Sequence, residues 1–476
     1  MRQVLFLLAI PLVAAAPQLT EEQRMEHLLA RATFGARPGD VEQVRTIGWK
    51  RWLDQQLHPE KIQESVVLEE RLKPLESLQM SSEELARVYP RPKPQKNLPP
   101  ADALRPPRPQ RPGFRMAEAT TQQRRDFLME TAPPRVIAYD LSESKVLHAV
   151  YSNRQLEEVL TDFWFNHFNV FFDKGADRYL VTSYERDAIR PHVLGKFRDL
   201  LLATAKHPAM LFYLDNWQSV APGSQPRQKQ RGLNENYARE LLELHTLGVD
   251  GGYSQKDIVE VARCFTGWTI RQPQQGGGFY FAPRLHDRGE KTVLGIKIPA
   301  GGGEDDGLKV LEILAKHPAT ARFLSRELAV RFVSDDPPAA LVDRMAKEYL
   351  KTGGDLREVI RLMFESKEFW SPAAYQCKIK SPLEFVASVV RSGEADVQFG
   401  FGLAQVIDRL GQPLYRKAEP TGYSNRSEEW VNSSGLVARL NFASTLAANR
   451  VPGTRVDAEK YKDAGAIWGS PEFQKR

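Results

Sequence analysis

Asn234-Glu235-Asn236-Tyr237-Ala238-Arg239-Glu240-Leu241-Leu242-Glu243-Leu244-His245-Thr246-Leu247-Gly248 is the stretch whose reading decides the fold. At 100° per residue, Ala238, Leu241 and Leu242 form one apolar side, and Glu235, Asn236, Arg239, Glu240 and Glu243 cover the other. That is the pattern of an amphipathic α-helix. Polar residues open it where a cap is needed, and Gly248 closes it as a left-handed cap. Asn234 and His245 fall on the apolar side. A buried polar group there needs a partner, because leaving it unpaired costs about 1–3 kcal/mol.

The same spacing recurs in both directions along the chain. It predicts helices over 21–33, 40–57, 62–88, 118–131, 143–171, 176–206, 208–214, 254–266, 306–315, 318–333, 338–351, 355–366, 381–392, 402–410 and 434–448. Strand-like stretches are few: 278–282 and 292–298 are expected to pair as one small hairpin. Ala205-Lys206-His207-Pro208-Ala209 recurs as Ala315-Lys316-His317-Pro318-Ala319, with Pro in the first turn of a helix in both. The expected fold is mostly α: one large, bundle-like multi-helix domain with a small β-hairpin. An N-terminal helical part, 17–89, is joined to the main body, 114–476, through a Pro-rich segment.

The chain has 476 residues, is 42% hydrophobic and 26% charged, and contains two Cys. This excludes a collagen, a disulfide-stapled miniprotein and a wholly disordered chain. Cys264 and Cys377 are too few for a disulfide framework, and a single bridge or two free thiols both fit. Of the net charge of +6, one unit is Arg2 and five belong to residues 90–113, where nine prolines accompany six cations and one acid. That segment reads as an extended linker or insertion. The helical body is therefore close to neutral, which argues against a nucleic-acid partner. Residues 4–16 form an apolar run of 13, ending in small residues before Pro17. Residues 1–16 read as a secretory signal peptide, so export to the periplasm or beyond is expected. The run is too short to span a bilayer, and no transmembrane anchor is expected elsewhere.

Two histidines lie on apolar helix faces. His167 sits among Leu156, Val159, Leu160, Phe163 and Val170, and His245 beside Leu241 and Leu242. Around them, Asn234, Glu235, Arg239, Glu240, Asp215 and Asn216 are further candidate catalytic residues. His286 and Asp287 join His167 and His245 as candidate ligands of a divalent metal. For any one of these, a satisfied core histidine or a solvated ion pair such as Glu235–Arg239 is the plainer account. Asp305 and Asp306 in a Gly-rich loop lack the alternating ligands of an EF-hand. No Walker loop, GxSxG, HExxH or CxxCH is present.

At these residues the chain resembles a large bacterial family, domain of unknown function 1800. The resemblance rests on His27-Leu28-Leu29-Ala30-Arg31-Ala32-Thr33-Phe34-Gly35, Phe163-Trp164-Phe165-Asn166-His167-Phe168, and the 234–248 helix. Phe265-Thr266-Gly267-Trp268, Lys378-Ile379-Lys380-Ser381-Pro382-Leu383-Glu384-Phe385 and Pro420-Thr421-Gly422-Tyr423 extend it. The resemblance implies an exported helical protein, often encoded beside a second exported family, domain of unknown function 1501, that looks like sulfatases. It carries over no catalytic residue. Two expectations follow. One is an enzyme or metal protein with a buried His/Asn/Glu site, in which the imidazoles of His167 and His245 converge. The other is a non-catalytic envelope scaffold for a sulfatase-like exported partner, with a large exposed apolar patch.

Overall fold

A computed structural model describes residues 18–90, 116, 118–222 and 232–476. The expected signal peptide and nearly all of the Pro-rich segment lie outside them. Among the described residues there are 21 α-helices and three two-stranded antiparallel sheets, so the protein is a mostly α single domain. One apolar core contains side chains from Met25 to Trp468 and includes Leu28, Leu53 and Leu85 of the N-terminal part. Among the described residues, no helix is long and apolar enough to cross a membrane.

Local chemistry sets the helix starts. Thr20, Ser81, Thr120, Ser254 and Ser381 each accept a backbone N–H and are answered by a Gln, Glu or Asp three residues on. The repeated Ala-Lys-His-Pro-Ala segments act alike. His207 Nδ1 accepts from Ala209 N, and His317 Nδ1 from Ala319 N, both at 3.1 Å. In each, a histidine takes the place of the usual Ser or Asp cap, before a Pro that has no N–H to satisfy.

Several predicted helices are broken. The 143–171 span is two helices, Arg135–Tyr151 and Gln155–His167, hinged at Ser152. The Gln155 side chain donates to Ser152 O at 2.9 Å, giving the broken turn a partner outside the helical ladder. The 176–206 span is interrupted by a π-helix, Tyr184–Ile189, before Pro191 and Gly195. The 234–248 helix starts at Asn236 and turns π over Leu241–Thr246.

The expected hairpin is corrected. Phe279–Phe281 pairs with Trp268–Ile270, not with 292–298. Lys291–Val293 pairs with Ile296–Ile298, so 292–298 is most of a hairpin in itself. Leu294 and Gly295 have φ of 49° and 77°, the left-handed pair of a tight two-residue turn.

Candidate functional site

Helix Gln155–His167 ends in an aromatic environment of Phe163, Trp164, Phe165 and Phe168, all buried. His167 Nε2 faces His245 O at 3.1 Å, so that nitrogen carries the proton and donates. The two imidazoles lie 6.3 Å apart, with Phe168 against His245 and Phe323 beside His167. Burial pushes His167 down to about 4, its bond to the His245 carbonyl opposing this. Burial and then the neighbouring His167 push His245 down to about 3. Both rings are neutral at pH 7. His245 Nε2 is buried without a hydrogen-bond partner.

The other predicted residues make their bonds elsewhere. Asn234 Oδ1 accepts from Asn236 N at 2.9 Å, and Asn234 Nδ2 donates to Asp215 O at 3.3 Å. Asn236 Nδ2 donates to Leu214 O at 3.3 Å. Asn234 and Asn236 thus join the start of one helix to the end of the preceding one. Asn216 Nδ2 donates to Phe265 O and Trp268 O, holding the first small sheet. Asp215 adopts φ 60° and receives Lys174 Nζ at 2.9 Å. Glu235 and Arg239 form a surface pair at 3.5 Å that brackets the Gln255 amide. Burial and the neighbouring Glu243 raise the Glu240 carboxyl.

His286 is fully engaged. Its Nδ1 lies 2.8 Å from Thr266 O and its Nε2 3.0 Å from Asp306 Oδ2. Asp287 takes two bonds from Arg263, at 2.9 and 3.0 Å, which hold its carboxyl below the usual range. Among the described residues, no three His, Cys, Asp or Glu side chains gather to hold a metal ion. Cys264 and Cys377 are both free thiols, and burial raises Cys264 to about 12.

A pocket opens on another side of the same helix end. It is lined by Asp162, Phe165, Asn166 and Asn169, by Lys145, Arg331, Ser381 and Glu384, and by Tyr415, Lys417, Tyr423, Asn425 and Arg476. It encloses about 50 Å³ of water-accessible space. Asn166 builds one wall. Its Nδ2 donates to Tyr423 O and its Oδ1 accepts from Tyr423 N, each at 2.6 Å across 257 positions of sequence. Gly422 makes this approach feasible: φ is 67°, and a Cβ there would lie 2.3 Å from Asn166 O. Asn169 Nδ2 donates to Lys417 O and Glu419 O, pinning the rest of the loop.

Two charged groups reach this pocket. Lys145 Nζ lies 3.0 Å from Asp162 and 3.3 Å from Glu185, beside the Phe165 and Tyr415 rings. Glu185 also accepts from Tyr415 Oη at 3.0 Å. Burial lowers the Lys145 ammonium, and the two carboxylates more than offset that, so it stays charged. In the second group, Arg331 Nη1 donates to Glu384 Oε1, and Arg476 Nη1 stands 2.6 Å from the same oxygen. Glu384 Oε2 accepts from Ser381 N at 2.8 Å, inside a capping box. Burial raises the Glu384 carboxyl, but Arg331 and Arg476 outweigh it and hold the group at about 2.

Asn166, Ser381, Glu384 and Tyr423 lie in the family-signature segments, but nothing local in the sequence gathers them into one site. Lys145, Asp162, Arg331, Tyr415 and Arg476 line the same pocket from outside those segments. Arg331 carried the usable signal: it lies in the apolar run Leu328-Ala329-Val330-Arg331-Phe332, a cation on a core face.

Residues 27–472 match the model of a family described as Protein of unknown function (DUF1800). No curated protein and no solved structure matches the chain.

Proposed function

The chain belongs to the family described as Protein of unknown function (DUF1800), and on that premise we propose that it is an exported small-ligand-binding protein whose site is the Asn166–Tyr423 pocket. One observation carries the reading. Segments 163–168, 378–385 and 420–423, far apart in sequence, each supply walls of this single pocket. The lining mixes aromatic rings with a few fixed polar groups, as ligand sites do. About 50 Å³ admits one small group of a few heavy atoms, not a whole drug-sized molecule. His167 and His245 are positioning residues behind Phe163, which stacks on His167 at 6.3 Å. Two imidazoles with no third ligand make a metal role for them the weaker account. Export is supported by the leader-like residues 1–16.

Ligand-observed NMR with a fragment library tests the site on the full chain. Asn425 lines the pocket, and its carbonyl, which Lys378 uses, survives substitution. Asn425→Trp is expected to abolish fragment binding without changing the circular dichroism spectrum. Fragments that bind the variant as well as the wild type contradict the reading.

A second reading, docking of a sulfatase-like exported partner, is favoured by one surface. Leu436, Val437 and Leu440 of helix Ser433–Ala447 are 46%, 59% and 46% exposed. Residues 430–449 carry a single charge, Arg439, and it is buried. Interface cores are depleted in charge in this way. Co-purification of such a partner with the wild type but not with Val437→Lys would support it. No difference between the two would remove it.

A further inference from the structure

The geometry points to an oxyanion as the ligand's recognised group: a carboxylate, phosphate or sulfate seated in the pocket against Arg331 and Arg476. This rests on the pocket being a ligand site, and it adds the chemical class. Two guanidiniums converge on one oxygen, Glu384 Oε1, and the other Glu384 oxygen is already bonded to Ser381 N. Arg476 Nε and Nη1 are buried and make no hydrogen bond; the 2.6 Å approach to Glu384 lacks hydrogen-bond geometry. A guanidinium has five donors in a planar fork, so most of this capacity is unmet.

More positive charge stands behind these two. Arg31 is fully buried, and its Nε and Nη1 also lack partners. Lys380 and Arg439 are 8% and 2% exposed, and neither pairs with a carboxylate: Lys380 Nζ lies over the Phe473 ring, and Arg439 donates to Gln474. Five buried basic side chains, Arg31, Arg331, Lys380, Arg439 and Arg476, therefore face the one buried carboxylate of Glu384, while buried Lys378 beside them is paired with Asp335. Burial, and then the charges of Arg476 and Arg439, bring Lys380 down to about 7 against the pull of Glu384. A bound oxyanion would accept from the idle donors and offset the surplus charge together.

Arg476 is placed by backbone pairing and by its Nη2, which donates to Arg331 O at 3.0 Å. Lys380 N donates to Gln474 O at 2.9 Å and Arg476 N to Lys378 O at 2.8 Å. It lies beyond the family-matched span of 27–472. Arg331 alone can still pair Glu384 when Arg476 is replaced, so Arg476→Gln leaves no carboxylate orphaned.

The test uses the full chain and three probes: acetate, inorganic phosphate and inorganic sulfate, at ionic strength fixed with chloride. Calorimetry and melting curves are recorded for the wild type, Arg476→Gln and Arg476→Lys. Saturable binding of at least one probe is expected, weakened about tenfold or more in Arg476→Gln and partly kept in Arg476→Lys. Without probe, Arg476→Gln is expected to melt at or above the wild type, because a like charge has gone. A purely structural ion pair gives the opposite: a lower melting temperature and no probe-dependent difference. That outcome, or no saturable binding of any probe, overturns the oxyanion assignment. If fragments still bind and are blocked by Asn425→Trp, the pocket reading survives that failure. If they do not, the pocket reading falls first.

Discussion

The Lys145 group and the Arg331 group are both buried, and both reach the same pocket, yet they are put together differently. Around Lys145, each charge has a partner. Lys145 bonds Asp162 and Glu185, Arg190 holds Glu158 at 2.6 and 2.9 Å, and His148 adds a contact to Glu158 at 2.9 Å. Two permanent cations meet three carboxylates there. Around Arg331, five basic side chains share the Glu384 carboxylate, only the neighbouring Lys378 has a carboxylate of its own in Asp335, and several donors have no acceptor. A buried network in which every charge is paired holds a structure in place, whereas one with unpaired cationic donors carries a desolvation penalty that a bound anion can relieve. The difference marks the first group as scaffold and the second as the binding end.

Removing the central charge of each group gives the largest effects. Lys145→Met strands Asp162 and Glu185, and Glu384→Gln strands Arg331 and Arg476. Each is expected to cost about 3–5 kcal/mol in urea unfolding. The two should separate when phosphate is added. The Glu384→Gln loss is partly reversed because an anion replaces the missing carboxylate, and the Lys145→Met loss is not. Equal responses to phosphate would erase the distinction.

Acid titration sharpens it. Glu384 is held at about 2, so the Arg331 group keeps its carboxylate charged between pH 6.5 and 4. His245 and His167 are held at about 3 and about 4, so in that window the unfolded chain binds their protons and the native state does not. Stability is then full above pH 6.5 and is lost as pH falls toward 4. Each histidine contributes about 1.4 kcal/mol per pH unit. His245→Gln should flatten the slope by that amount, and an unchanged slope would show that His245 is charged in the native state.

A last effect lies on the alkaline side. Lys380 is held at about 7, so between pH 7 and its unfolded value of 10.5 only the unfolded chain carries its proton. Stability should rise with pH there, by at most about 1.4 kcal/mol per unit. The rise should shrink by that amount in Lys380→Met, with the remainder due to Lys378, which burial lowers to about 8, and anion affinity should weaken over the same range. Lys145, raised above its usual value, contributes no such rise near pH 7.

Much of the architecture was legible in sequence, because a 3.6-residue period, capping residues and Pro positions are local signals. The break at Ser152 had no Pro or Gly to announce it. The strand pairing departs from expectation because Leu294-Gly295, inside the strand-like stretch 292–298, is a left-handed turn that folds that stretch back on itself. The site was less legible. A histidine on an apolar face draws notice, and the His167 and His245 rings lie 6.3 Å apart without lining the pocket. The same test applied to Arg331 and Arg439 would have exposed the cationic cluster. Its assembly could not have been read locally, since Arg476 donates to Arg331 O across 145 positions, and no periodicity links them.

The most direct measurement is a crystal of the full chain soaked in selenate, with anomalous data collected at the selenium edge. The account predicts a selenium peak in the pocket, with oxygens in hydrogen-bond reach of both Arg331 and Arg476, and no such peak in Arg476→Gln. Selenate found only on exposed lysines, with the pocket empty of anomalous signal, would contradict it.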